Sequence, residues 1–133
     1  MATQTADTPT TPFEMLGGHP VLERIVNRFY DLMDQDPAYA ELRALHAPDL
    51  EPMRASLASF LAGWSGGPRD WFEANPGKCM ASAHKGVTIT KQTADQWAEA
   101  MRRAIADCGP DNAKLGEAMA DMLSNLARSM ARG

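Results

Sequence analysis

A chain of 133 residues can bury a core of its own as a single domain, and its 44% hydrophobic and 23% charged fractions are those of an ordinary globular protein. A net charge of −4 with no basic stripe excludes a nucleic-acid binder. No apolar run approaches the roughly 18 residues that span a bilayer, which leaves out a membrane protein.

The chain opens on MATQTADTPTTPF, which lacks the basic flank and apolar centre of a secretion signal. Residues 1–11 are expected to be a disordered leader, residues 12–133 the folded domain, and the location cytoplasmic. Pro20 falls in the first turn of a helix whose stripe is Leu22, Ile25, Val26, Phe29, Tyr30 and Met33. PAYAELRALH, residues 37–46, is a shorter helical piece. A second stripe, Met53, Leu57, Phe60, Leu61 and Trp64, runs into Gly66-Gly67-Pro68, which must end it. The pattern then dissolves over residues 66–89 into glycine, proline and small residues, broken by a helical turn or two. So long a connection inside a small domain is itself a functional signal. After Thr90 a third stripe carries Trp97, Met101, Ala104, Ile105 and Cys108, until Gly109-Pro110 stops it. The last carries Leu115, Met119, Met122, Leu123, Leu126 and Met130. No strand alternation is sustained, so the fold class is all-α.

Chemical motifs are scarce. There is no G-x-S-x-G and no phosphate-binding glycine loop after a strand. Cys79 and Cys108 form no C-x-x-C or C-x-x-C-H, which removes zinc-ribbon, thioredoxin-like and covalent c-type haem readings. Both are expected to be buried and reduced. Cys79 with His84 makes only a weak pair for zinc. What remains is a set of polar tips on apolar faces: Tyr30, His46 and Trp97. A buried tyrosine or tryptophan usually supplies area and finds one local hydrogen-bond partner, so each taken singly reads as core. His84, within CMASAHKGVTIT, reads singly as a loop histidine.

Taken together, these residues resemble the second group of the truncated haemoglobins. The likeness runs from about Phe13 to Met130. It is carried by F-E-M-L-G-G at 13–18, R-F-Y at 28–30, F-L-A-G-W-S-G-G-P at 60–68, His84 with Ile89 five residues on, and D-Q-W at 95–97. Each piece is weak, but their order and spacing are specific. The resemblance implies a two-on-two helical sandwich around a haem, with helices 20–34 and 51–65 as one pair and 91–108 and 113–130 as the other. The long loop becomes the segment that carries the proximal histidine.

By the same resemblance the cofactor is a non-covalent haem b and His84 is its proximal iron ligand, a suitable role for a neutral imidazole. Tyr30, His46 and Trp97 match the distal positions, where O–H and N–H donors hold a ligand that draws negative charge. Met53, Leu57, Leu61, Trp71, Phe72, Met80 and Ile89 are implied haem contacts. Relatives carry arginines before the histidine and a phenylalanine after it. Here those places hold Ala81, Ser82, Ala83 and Val87, so propionate anchoring falls to Lys78, Lys85 or Arg69. The implied function is reversible binding of dioxygen and of nitric oxide, carbon monoxide or sulfide. The alternatives are a haem enzyme, as a nitric oxide dioxygenase or peroxidase fed by an external reductase, and a haem-free helical module using the methionines of the last helix. The spacing of Met119, Met122, Leu126 and Met130 assigns them to packing and argues against that last alternative.

Overall fold

The computed structural model describes residues 11–76 and 87–131. Among them every regular element is helical: α1 Pro12–Leu16, α2 Gly18–Gln35, α3 Ala40–Ala44, α4 Glu51–Trp64, α5 Asp70–Ala74, α6 Lys91–Cys108 and α7 Ala113–Ser129, with a 3₁₀ turn at Pro37–Tyr39. Helix α2 packs on α4 and on α6, and α6 packs on α7. Two pairs of helices thus face each other, α2 with α4 and α6 with α7, as the resemblance implies.

Local chemistry explains the boundaries. Thr11 caps α1 in a full capping box with Glu14, and Pro12 fills a first-turn position where no N–H is needed. Gly17 then ends α1 and caps α2 at φ 110°, a left-handed conformation that disfavours any side chain. Pro20 is the third residue of α2, still inside the first turn. Gly66, at φ 99°, lets the amides of Gly66 and Gly67 return to the carbonyls of Gly63 and Ala62 and close α4. Thr90 caps α6 through the amide of Thr93. The helical turn expected within 66–89 is α5.

The core joins Leu22, Ile25, Phe29 and Met33 of α2 to Leu61 of α4, Met101 of α6 and Leu123 of α7, each no more than 1% exposed. Helix α6 touches both neighbours because its inner faces are built of Ala94, Ala98, Ala100 and Ala104, all buried, which bring backbones close. Gly63 plays the same part in α4. A Cβ there would stand 2.7 Å from the Phe72 ring, so only glycine admits α5 at this depth. At the rim, Arg28 pairs with Asp107 between the two helix pairs, and Arg102–Asp121 and Arg128–Asp95 tie α6 to α7.

Two expectations need correction. Met122 is 58% exposed and is not a core residue. Leu126 is partly buried and packs against the core as expected, and it also lines a cavity together with the partly buried Met130. Cys108 is a free, half-buried thiol, and Cys79 lies outside the described residues. No described helix is long and apolar enough to cross a membrane.

Candidate functional site

Between the two helix pairs lies a cavity of about 500 Å³. Its α2–α4 side carries Tyr30, Met53, Leu57, Phe60 and Leu61. Trp71 and Asn75 close one end, and Leu42, Leu45 and His46 another. The α6–α7 side carries Thr93, Ala94, Trp97, Leu123, Leu126 and Met130, with Val87 and Ile89 from the segment entering α6. No charged side chain lines it among the described residues. Size and lining are those of a site for a flat, largely apolar organic ligand.

The three polar tips come together. Phe29, fully buried, stands edge-on to Tyr30 at 4.9 Å and to Trp97 at 5.2 Å between ring centres, and Tyr30 stands edge-on to His46 at 6.0 Å. These contacts lock the rings by packing. The Tyr30 hydroxyl and the Trp97 indole N–H have no protein hydrogen-bond partner among the described residues, although Tyr30 is only 2% exposed. Burial pushes the Tyr30 phenol up to about 12, with nearby Arg54 pulling the other way. The phenol therefore keeps its proton at neutral pH and remains a donor.

His46 differs. Its Nδ1 donates to the Leu42 carbonyl at 2.9 Å, because a carbonyl can only accept. That bond holds the Nδ1 proton against the backbone of α3. The segment holding His46 is fastened by Arg43, which donates to Ala47 O and Pro48 O at 3.0 and 2.9 Å and pairs with Asp34. Gln96, next to Trp97, accepts from the Leu42 amide at 3.0 Å and fixes α3 against α6.

Of the other residues named from the sequence, Met53, Leu57, Leu61, Trp71 and Ile89 line the cavity. Phe72 stands one layer behind, packed on Phe60, Trp71 and Gly63. Arg69 lays its guanidinium over the Phe72 ring at 4.5 Å, away from the cavity wall. Lys78, Met80, His84 and Lys85 lie outside the described residues. Sequence reasoning missed Leu123, Leu126 and Met130 as wall residues. It also missed Arg54, whose guanidinium bridges α4 to Asn27 and Asp31 of α2.

The model of the bacterial-like globin family matches residues 11–132. The chain belongs to that family. A group 1 truncated hemoglobin of Chlamydomonas moewusii is 30% identical, over 92% of this chain and 71% of its own length. The group II 2-on-2 hemoglobin of Agrobacterium tumefaciens has a similar structure, with a TM-score of 0.88, 30% identity, and coverage of 99% of this chain and 98% of that one. The cold-adapted truncated hemoglobin of the Antarctic bacterium Pseudoalteromonas haloplanktis matches at a TM-score of 0.88 and 31% identity, over 93% of this chain and 99% of that one. The globin is thus a two-on-two truncated haemoglobin of the second group, a haem protein for small ligands. The residues present fit that group. The walls are largely apolar and aromatic, the volume suits a tetrapyrrole, and two wall residues carry donors without a partner among the described residues.

Proposed function

We propose that this globin holds a non-covalent haem b, with His84 as the residue that would ligate its iron, and binds dioxygen and other small ligands reversibly in the cavity that Tyr30 lines. The observation that carries the reading is the pair of hydrogen-bond donors without partners among the described residues, Tyr30 O–H and Trp97 Nε1–H, on the wall of a largely apolar cavity. Neither atom is sealed off from the cavity, so a ligand that accepts from them would take the place of water there.

A bound haem would supply an iron able to take up dioxygen and share negative charge with it. The protein's part is to offer donors: Tyr30 and Trp97 would donate from two helices, and Phe29 between them keeps both rings in place. His46 keeps its Nδ1 proton on the Leu42 carbonyl and lines the same cavity. Leu57 and Leu61 present apolar wall, and Met53, 38% exposed, lines the cavity while still reached by solvent. With no charged side chain among the described wall residues, the propionates are assigned to the cavity mouth, with Lys78 and Lys85 as their partners.

Absorption spectra test the reading. Wild-type protein mixed with haemin should give a haem band that changes on reduction and again, reversibly, on exposure to dioxygen. His84→Gly should lose or strongly alter the coordination bands. An unaltered spectrum in that variant would sink the axial assignment, and a protein that stays colourless would sink the whole reading.

A further inference from the structure

Arg54 occupies the first turn of α4, beside Met53 on the cavity wall. It does not extend into solvent, and its side chain is 19% exposed. It crosses to α2, where Nη1 donates to the Asn27 carbonyl at 3.0 Å and Nη2 to the Asp31 carboxylate at 2.9 Å. Asn27 and Asp31 flank Tyr30 on the same helix. The guanidinium carbon lies 5.8 Å from the centre of the Tyr30 ring. Nε is 3.3 Å from the Glu51 carboxylate but out of line with it, so this buried N–H has no aligned acceptor.

A cation taken this far out of water is costly unless paired, and Asp31 pairs it from the helix that carries Tyr30. The same fork sets the spacing of α4 over α2 at the level of the phenol. A positive charge close to an aromatic ring also draws electron density from it, which strengthens the O–H as a donor.

We infer that Arg54 is a positioning residue for the distal site: through Asn27 and Asp31 it fixes the Tyr30 ring, and through its charge it strengthens the Tyr30 hydroxyl toward the bound ligand. This rests on the functional reading above. It accounts for a buried guanidinium beside the one distal residue that burial alone would make a poorer acid.

The test uses haem-loaded protein and two readouts, the dioxygen release rate and the infrared C–O stretch of the carbon monoxide form. Arg54→Met keeps the bulk and removes the fork and the charge. It should speed dioxygen release about two- to fivefold, the size of one cation–π or hydrogen-bond contribution, and raise the C–O frequency. In a Tyr30→Phe background the same substitution should change neither. Should Arg54→Met fail to fold, Arg54→Gln, which keeps an N–H donor across to α2 and drops the charge, should move both readouts the same way by less. Unchanged release and frequency in the folded variant, or equal changes with and without Tyr30, overturn the inference. A purely structural clasp would lower the melting temperature and leave the infrared band in place. A wild type that takes up no haemin overturns the functional reading as well, whereas a wild type that binds carbon monoxide normally and is matched by Arg54→Met overturns this inference alone.

Discussion

The two sides of the cavity are made of the same kind of element and do opposite work. The α2–α4 side holds a tyrosine beneath a charged clasp, Arg54 with Asp31, and a layer of interlocked rings with Phe29 at its centre. The α7 side offers Leu123, Leu126, Ala127 and Met130, with no hydrogen-bonding side chain. Polar recognition comes from Tyr30 of α2 and Trp97 of α6, whose rings both meet Phe29 and are held rigid by packing, not from the α7 wall. That wall supplies area. Substitutions on the two sides should therefore fail in different ways. On the α7 side the loss should follow buried volume. On the α2–α4 side it should follow protons and charge.

The largest expected effect lies on the apolar side. Leu123 is 1% exposed and belongs both to the core and to the wall. Leu123→Ala should cost about 3 kcal/mol by lost burial and cavity formation, read in urea denaturation, and should loosen haemin retention with it. It should leave the C–O stretch nearly unmoved, because no donor changes. A large infrared shift would show that the two sides are not separable.

Tyr30 tests the polar side through pH. Its folded phenol is held up at about 12 by burial, against an unfolded value of 10.0. The unfolded chain thus releases this proton first. The stability linked to the group is fully present below pH about 10 and is lost as pH climbs toward 12. Over that window wild type should lose about 2 to 3 kcal/mol more than Tyr30→Phe, which has no proton to release. Parallel losses in the two proteins, measured by denaturation from pH about 9 to about 12, would mean that the phenol is not buried as described.

The helices were legible because their stripes repeat at the helical period, and the terminators Gly66-Gly67-Pro68 and Gly109-Pro110 fall where α4 and α6 end. Helix α1 was not read, since five residues cannot display a period. Its signal was the capping box of Thr11 and Glu14 around Pro12. The cavity was legible only through resemblance, for a physical reason. Periodicity reports that a face is shielded from water, not what shields it. Leu126, which packs on the core, gave no sign that it also lines a cavity, and Tyr30 and Trp97 looked like any buried aromatics. The Nδ1 bond of His46 runs to a backbone carbonyl four residues earlier and leaves no trace in composition. Arg54 and Asp31 carry no helical pattern either, because their pairing joins two helices.

The smallest expected effect separates packing from pattern on α7 itself. Met122 precedes Leu123 and was assigned to the same stripe, yet it is 58% exposed. A step of one residue turns the helix by about 100°, which carries Met122 off the edge of the face that Leu123 occupies. Met119 and Leu126 sit three behind and four ahead of it, close enough in the helical period to blur the boundary. Exposure predicts that Met122→Lys changes stability by less than about 0.5 kcal/mol and leaves haemin uptake and dioxygen release alone. A cost approaching that of Leu123→Ala would mean that this face is covered in solution, and it would return Met122 to the apolar side of the comparison.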